Sequence, residues 1–328
     1  MALDHGLPTG RTIGDLYAWG AVGSIAGTFL AGFYLISAFG SVTIIWGIGA
    51  AMLLAGILYW LSCWVLYVWA MIFGALLTMG MAPAEWAQNA GAAAFLREPA
   101  DPNVLYENET AYCRVAIRQT SKRPDRRAFM QDKLMHSEAI MGDVTNLQYF
   151  YTRIFAGLTH GLSQGRQDLS LMVIGGGGYA FPQYLKATWP NSRVEVVEID
   201  PGVTEAAMAA FGLDRNTTIE TVNLDARNHV GQLLLGQEPA RRYDFIYEDA
   251  INDYSVPFQL VTHEFNEKIA RLLTDDGAYM INLIDTYDNA RFLGAVVGTV
   301  RLTFSHVYVL TSEIGLPSLR DTFVVVAT

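Results

Sequence analysis

Charged residues are missing from a long stretch near the beginning of this chain. None of the 69 residues from Leu16 to Ala84 is Asp, Glu, Lys or Arg, and almost every side chain among them is apolar or small. The first 84 residues carry three charged side chains, and the residues after them carry the other 51. A water-soluble domain of ordinary composition does not contain such a run. The sequence therefore predicts a membrane segment joined to a water-soluble segment.

Cysteine is also scarce, and its two positions are far apart. Cys63 lies inside the apolar run and Cys113 lies in the polar part, so the sequence indicates no disulfide framework and is compatible with a reducing compartment. The six histidines show no ligand spacing with the cysteines, so we expect no metal site. The net charge of −10 argues against a nucleic-acid partner.

The apolar run is long enough to cross a bilayer more than once. A secretory signal peptide, with an apolar core of roughly 7–15 residues, is too short to account for it. A helix that crosses a ~30 Å hydrocarbon core needs about 20 residues. We predict three spans at residues 16–38, 42–61 and 64–82, separated near Gly40 and near Trp60. Two crossings followed by an interfacial stretch are the alternative.

Glycines recur along the first predicted span, at Gly20, Gly23, Gly27 and Gly32. The spacing of Gly23 and Gly27 allows a second helix to approach closely. Such a face either packs the three spans together or docks a membrane-protein partner or a second copy of the chain. Because the run contains no ionisable residue, we expect an anchor in contact with membrane lipid rather than an ion pathway.

The water-soluble segment is predicted to begin with extended structure. Residues 85–103 are interpreted as a connector, and residues 104–145 as a small β-hairpin segment. Its two strands are expected at Leu105–Arg118 and Arg127–Glu138, because both runs are rich in β-forming residues. The polar, proline-containing stretch Gln119–Arg126 between them is expected to form the turn.

Residues 146–328 show the alternation of strands and helices that is typical of an α/β protein with a doubly wound, Rossmann-like parallel sheet. Their first element is a predicted helix at Asn146–Leu162. The predicted strands are Leu169–Ile174, Arg193–Glu198, Thr218–Val222, Tyr243–Glu248 and Ala278–Ile284, closed by His306–Leu310 and Thr322–Ala327. The predicted helices between them include Val203–Phe211, Pro257–Leu273 and Asn289–Phe304. Ligands of such sheets bind at the carboxyl ends of the strands, so we expect the functional residues there.

Four glycines follow the first strand of this sheet, from Gly175 to Gly178. Glycines allow a tight turn and a close approach of the backbone to a ligand. The second strand ends at Glu198, about 20 residues further on, where a carboxylate can accept hydrogen bonds from ribose hydroxyls. This pairing indicates a dinucleotide or an S-adenosylmethionine-type nucleotide.

Carboxylates follow the third and fourth strands. Asp225 can accept a hydrogen bond from an adenine amino group, or it can cap the helix after it. Glu248, Asp249 and Asp253 lie within six residues at the end of the fourth strand. Such crowding is unfavourable unless a proton or a cation relieves it. The sequence therefore predicts a small cationic substrate at this edge of the sheet.

Several short motifs occur together between Tyr106 and Thr328. They are DKLMHS at 132–137, VIGGGGYAFP at 173–182, VVEIDP at 196–201, DAR at 225–227, YDFIYED at 243–249 and DYSVPF at 253–258. In this combination the chain resembles the spermidine synthase family of polyamine aminopropyltransferases. With its apolar N-terminal run it resembles the membrane-fused bacterial branch of that family.

The resemblance implies transfer of an aminopropyl group from decarboxylated S-adenosylmethionine to a polyamine. Position by position, it implies that Gly175, Gly176 and Gly177 line the donor, that Glu198 holds its ribose and that Asp225 holds its adenine.

Asp249 is then the base that deprotonates the attacking amine, since an ammonium has no lone pair with which to attack. Asp253, Tyr149, Tyr151 and Tyr254 would hold the other cationic end of the acceptor by charge and cation–π contact. Tyr149 and Tyr151 could alternatively be core residues.

The sequence departs from the family pattern at two places. Gly178 replaces an aspartate that contacts the amine of the donor, which makes intact S-adenosylmethionine an alternative donor. Asp249 and Asp253 are four residues apart rather than the usual three, so the acceptor loop is expected to differ.

Three functions therefore stay open. The first is a membrane-anchored aminopropyltransferase, the second is a methyltransferase on the same fold, and the third is a non-catalytic accessory subunit of a larger membrane complex. The family resemblance also implies dimers. Because the donor nucleotide is made in the cytosol, we expect a multi-pass protein of the inner (cytoplasmic) membrane whose water-soluble domain faces the cytoplasm.

Overall fold

The chain divides into two compact units. The first comprises the residues up to Pro102 together with Glu109–Tyr112, and the second comprises Asn103–Asn108 and Cys113–Thr328. The structure, a computed structural model, describes residues 9–59, 64–82, 84–236, 239–251, 256–311 and 320–328.

Among the described residues of the first unit up to Pro102, the regular elements are helices. Its elements are α1 (Thr9–Leu30), continued by a π-helical turn (Ala31–Leu35), then α2 (Ile36–Tyr59), α3 (Trp64–Met81) and α4 (Glu85–Ala93). The predicted break near Gly40 is visible inside α2, where this residue leaves the helical conformation with φ +70°. Within the described residues, three helical stretches are long and apolar enough to cross a membrane: Gly10–Leu35, Ala38–Leu58 and Trp64–Met81. They match the three predicted spans, while the membrane and the orientation stay predictions.

The second unit begins with a four-stranded sheet in the order β1-β2-β3-β4. Its strands are β1 (Val104–Glu109), β2 (Arg114–Lys122), β3 (Asp125–Gln131) and β4 (Leu134–Ile140), and β3 pairs antiparallel with both β2 and β4.

The single predicted hairpin is therefore wrong in two respects. Each predicted strand is interrupted, because Leu105–Arg118 includes parts of β1 and β2 and Arg127–Glu138 includes parts of β3 and β4. Residues Gln119–Lys122 also continue β2 instead of turning, and the turn is confined to Arg123 and Pro124. A strand with one solvated face accepts polar side chains, whereas a proline donates no hydrogen bond to a neighbouring strand. The polarity of Gln119–Arg126 thus reflects an exposed strand face, and only the proline marks the turn.

The remaining residues form a doubly wound α/β domain, which confirms the predicted fold class. Helix α5 (Phe150–Leu162) precedes a seven-stranded sheet in the order β10-β11-β9-β8-β5-β6-β7. The strands are β5 (Ser170–Ile174), β6 (Arg193–Val197), β7 (Glu220–Val222), β8 (Tyr243–Glu248), β9 (Leu273–Thr286), β10 (Val307–Thr311) and β11 (Arg320–Ala327). The helices are α6 (Ala180–Thr188), α7 (Pro201–Ala210), α8 (Ala226–Leu233), α9 (His263–Leu272) and α10 (Arg291–Val300). Strands β5 to β9 are parallel, and β10 and β11 are antiparallel additions.

Both faces of this sheet are buried, so its central strands are continuous apolar runs. Leu171 and Val173 of β5 face one core, and Met172 and Ile174 face the other. Strand β5 lies between β6 and β8, so the strand order reverses beside it. This is the position at which open α/β sheets bind ligands.

Helix α9 starts six residues later than predicted, at His263 rather than Pro257. The hydroxyl of Thr262 accepts a hydrogen bond from the N–H of Phe265 and so caps the helix. The residues Phe258–Leu260 form a separate 3-10 turn.

Candidate active site

The change in strand order at β5 places two predicted loops side by side. Strands β5 and β8 are parallel neighbours, so the glycine loop after Ile174 and the carboxylate loop after Glu248 leave the sheet at the same edge. A cavity of about 180 Å³ opens there. Six of the residues predicted from the sequence line it: Gly175, Gly176, Gly177, Tyr149, Tyr151 and Asp249.

Asp249 is held by two hydrogen bonds from different parts of the fold. The hydroxyl of Tyr151 donates to Oδ2 at 2.8 Å, and the amide Nδ2 of Asn282 donates to Oδ1 at 2.7 Å. The carboxyl group is half-buried, and this burial raises its pKa to about 6, although both hydrogen bonds act in the opposite direction. A carboxylate with such a pKa can accept a proton near neutral pH.

The first turn of α5 positions the two predicted tyrosines. The Tyr151 ring packs edge-on against Phe155, with 5.7 Å between the ring centroids, and lies 5.9 Å from the Tyr149 ring. Burial raises the pKa of Tyr151 well above its usual value and that of Tyr149 to about 12. Both hydroxyls are therefore protonated at neutral pH. Tyr151 packs in the core and also lines the cavity, so core packing and a place beside a bound acceptor are compatible for this residue.

Glu198 does not line the cavity, but it holds the glycine loop that does. Its Oε2 accepts the N–H of Gly176 at 2.6 Å, and its Oε1 accepts the N–H of Asp200 at 2.9 Å. Burial raises the pKa of Glu198 to about 7 against the opposing effect of these backbone hydrogen bonds. Each oxygen keeps a second lone pair, which a ligand hydroxyl could use.

Gly175 has a conformation and surroundings that exclude any side chain. Its φ is +99°, and a Cβ atom would lie 2.5 Å from the backbone oxygen of Asp249. The glycine loop and the Asp249 loop therefore touch through their backbones, which fixes the width of the cavity between them.

We expect Gly175→Ala to lower the thermal unfolding midpoint more than Gly165→Ala does. Gly165 has φ +80°, and a Cβ atom at this position would meet no other atom within 4 Å. Gly165→Ala therefore measures only the cost of placing an alanine in a left-handed backbone conformation, which is about 1–2 kcal/mol. Gly175→Ala adds the clash with Asp249, about 1–3 kcal/mol more. Equal effects in thermal melts of the two variants would contradict the close approach of the two loops.

Gly178, the position without the expected carboxylate, is enclosed by aromatic rings. Its φ is +78°, and a Cβ atom would lie 3.0 Å from Phe129 and 3.1 Å from Phe211. The two rings pack edge to face with 6.1 Å between their centroids. Any side chain at this position would therefore require the two rings to shift, in addition to the unfavourable backbone conformation.

Asp225 does not line the cavity. The side chain of Asp225 accepts a hydrogen bond from the N–H of Asn228 and caps α8, which was the alternative interpretation of this residue. Asp253 and Tyr254 lie outside the described residues. In the part of the chain that the structure describes, no three His, Cys, Asp or Glu residues lie together as a metal site would require.

Sequence reasoning missed Asn282, which contacts Asp249 directly. The signal was present in the sequence, because Asn282 interrupts the apolar run of β9, where it is only 2% exposed. A polar residue inside a central strand needs a hydrogen-bond partner, and here that partner is Asp249.

The cavity is acidic. Its described lining residues include Glu138, Asp143 and Asp249 and contain no lysine, arginine or histidine. Glu138 is partly neutralised by Arg126, at 3.6 Å, and Asp143 accepts a hydrogen bond from the hydroxyl of Thr145. A small organic cation fits this lining better than an anion does.

Comparison with known proteins relates the chain to two classes of transferase. The polyamine aminopropyltransferase of Vibrio vulnificus (strain CMCP6) is 33% identical over 141 residues, which are 42% of this chain and 44% of that protein. The eEF1A lysine and N-terminal methyltransferase of Homo sapiens is 28% identical over 154 residues, which are 44% of this chain and 21% of that protein. A probable spermidine synthase from Corynebacterium glutamicum ATCC 13032, a crystal structure, has a TM-score of 0.61 at 21% identity, covering 70% of this chain and 80% of that one. No protein-family model matches the chain.

These matches confirm the predicted resemblance to the spermidine synthase family and the S-adenosylmethionine-type fold. The chain spans less than half the length of the two curated relatives, and the structural match at 21% identity shows the fold alone. The membrane-fused branch, the reaction and the roles of the site residues stay predictions.

Proposed function

We propose that this chain, whose second unit resembles the spermidine synthases in sequence and fold, is a membrane-anchored transferase that moves an aminopropyl group from decarboxylated S-adenosylmethionine to a polyamine. One observation carries the proposal: Asp249 lies beside the glycine loop in an acidic cavity whose described lining has no basic side chain. The helices of the first unit would anchor the enzyme.

Asp249 would act on the acceptor amine. It accepts a proton from the bound ammonium, which frees the nitrogen lone pair. The nitrogen attacks the propyl carbon next to the sulfonium, a new C–N bond forms, and the C–S bond breaks with its electron pair going to sulfur. The sulfonium becomes the neutral thioether of methylthioadenosine, so the charges and atoms balance. Tyr151 would keep the carboxylate in place through its 2.8 Å hydrogen bond.

The charge of the cavity favours the decarboxylated donor. Intact S-adenosylmethionine carries an additional carboxylate, and the described lining residues provide three carboxylates and no cation to pair with it. Like charges at close range disfavour binding, whereas the cationic aminopropyl group is attracted. Glu198 and Asp225 would hold the ribose and the adenine, as the family resemblance implies.

Methyl transfer from intact S-adenosylmethionine is the second candidate function. It is supported by the methyltransferase relative and by Gly178, which provides no carboxylate toward the donor amine and is enclosed by the rings of Phe129 and Phe211. In this reaction an amine or another nucleophile would attack the methyl carbon, and S-adenosylhomocysteine would leave.

The test compares the two donors on the full chain, extracted with detergent from alkali-washed membranes. We expect calorimetry to show tighter binding of the decarboxylated donor, and methylthioadenosine to be released when putrescine or spermidine is added. Tighter binding of the intact donor with release of S-adenosylhomocysteine would establish the methyltransferase instead. Binding of neither donor would contradict both reactions and indicate the accessory subunit. Recovery of the chain outside the membrane fraction would contradict the anchor.

A further inference from the structure

Strand β9 contains a polar side chain at a position that stability alone does not explain. Asn282 lies between Ile281 and Leu283 and is 2% exposed. In the central sheet it is paired in register with Val324 of β11. Burying an amide costs free energy unless its polar atoms form hydrogen bonds.

The amide of Asn282 forms one such bond, and it is to Asp249. Nδ2 donates to Oδ1 of Asp249 at 2.7 Å, whereas Oδ1 of Asn282 has no hydrogen-bond partner among the described residues. An unpaired buried carbonyl oxygen destabilises the folded state, because it loses its hydrogen bonds to water. An apolar residue would therefore suit the strand better, and the amide is explained by the carboxylate it contacts.

We propose that Asn282 is a positioning residue, which fixes the orientation of the Asp249 carboxylate for proton transfer from the substrate amine. The inference rests on the proposed function. Tyr151 on α5 holds Oδ2 and Asn282 on β9 holds Oδ1, so each oxygen has one donor from a separate element. Rotation of the carboxylate about its Cβ–Cγ bond would break both hydrogen bonds. The lone pairs that remain can face the cavity.

Asn282 also affects the pKa of Asp249, together with the titratable groups around this carboxylate. Tyr151 and Tyr149 are the titratable groups of α5 and its N-cap that interact with this carboxylate, and Glu138 of β4 acts on Tyr149. From β9 the contact is the neutral amide of Asn282, which donates at every pH. A hydrogen bond donated to a carboxylate stabilises the charged form, so Asn282 lowers the pKa of Asp249 against the effect of burial.

The test follows the protonation of Asp249 in the full chain in detergent. We would label aspartate with ¹³C at the carboxyl carbon, assign the Asp249 signal by its loss in Asp249→Asn, and record its titration. In Asn282→Ala we expect the midpoint to rise by about one to two pH units, because the variant removes a hydrogen bond that stabilises the charged carboxylate.

Asn266→Ala is the matched control. Asn266 lies on α9, is fully buried and also has amide atoms without a partner among the described residues. Its amide forms no hydrogen bond with Asp249, so its loss is expected to alter stability and leave the titration midpoint unchanged. If Asn282→Ala does not fold, Asn282→Asp is used instead, because it keeps the volume of the side chain. It replaces the donor by a second carboxyl, and the pair is then expected to show one strongly raised apparent midpoint.

Activity provides an independent readout. In Asn282→Ala the acid limb of kcat/KM is expected to move to higher pH with the carboxyl titration, kcat to fall by about tenfold, and KM for the donor to stay unchanged. An unchanged midpoint in Asn282→Ala, or an equal change in Asn266→Ala, would overturn the inference. Lack of turnover in the wild-type protein would overturn the proposed function, and the carboxyl titration would still decide whether Asn282 controls Asp249.

Discussion

Asp249→Asn is expected to abolish the amine-dependent release of methylthioadenosine and, at the same time, to stabilise the protein at neutral pH. An asparagine cannot accept the proton of the attacking ammonium, and loss of a general base lowers rates by about 10²–10⁴-fold. The change is nearly isosteric. The new amide can still bond to Tyr151 and to Asn282, whose own amide can turn over to accept.

The stability gain follows from the pKa of Asp249. This value is about 6 in the folded protein against 3.8 for the unperturbed group. The folded state therefore binds the proton more tightly, and the stability that protonated Asp249 provides is fully present below pH 3.8 and is lost as the pH rises through 6. The loss is about 3 kcal/mol. Asparagine does not titrate, so the variant should not show this loss.

Thermal melts at pH 4, 6 and 8 measure this difference. The unfolding midpoint of Asp249→Asn should match the wild type at pH 4 and exceed it at pH 8. Asp276→Asn, at an exposed position of β9, is the control and should change neither activity nor the pH dependence. Retained turnover would show that Asp249 is not the base. A stability difference that is independent of pH would show that its pKa is not raised.

Glu198→Gln is expected to weaken binding of the donor nucleotide by tenfold or more, about 1.4 kcal/mol. Both oxygens of Glu198 accept backbone N–H groups, from Gly176 and from Asp200. A glutamine replaces one of these oxygens by an NH₂ group, which then faces another donor. The glycine loop must move, and the cavity beside Asp249 changes shape with it. Calorimetric titration with the donor nucleotide measures the effect.

Glu220→Gln is the matched control for this substitution. Glu220 lies on the neighbouring strand β7, is exposed and pairs with Arg193 at 2.6 Å. An exposed ion pair is worth about 0–1 kcal/mol, so donor binding should not change. Wild-type affinity in Glu198→Gln would mean that the loop does not need this carboxylate. Equal weakening in both variants would indicate a general effect of charge rather than the loop contact.

The parts of the fold that sequence patterns predict are those with local causes. Strand β8 has the predicted bounds, Tyr243 and Glu248, and the break near Gly40 follows from glycine in a helical run. The end of β2, Gln119–Lys122, is wrongly predicted as a turn, because polar side chains on a solvated strand face resemble a turn. A local sequence pattern cannot distinguish a solvated strand face from a turn when the elements that pack against the other face of the strand are unknown.

By itself, the sequence determined the long apolar helices, the α/β alternation and the types of residue at the strand ends, because hydrophobic periodicity and glycine content are local properties. Tertiary structure decided which of these residues meet. Strand order brings Gly175 to Asp249, and contacts across 98 and 33 residues bring Tyr151 and Asn282 to the same carboxylate. The burial that raises the pKa of Asp249 arises only when these distant segments pack together, and so does the enclosure of Gly178 by Phe129 and Phe211.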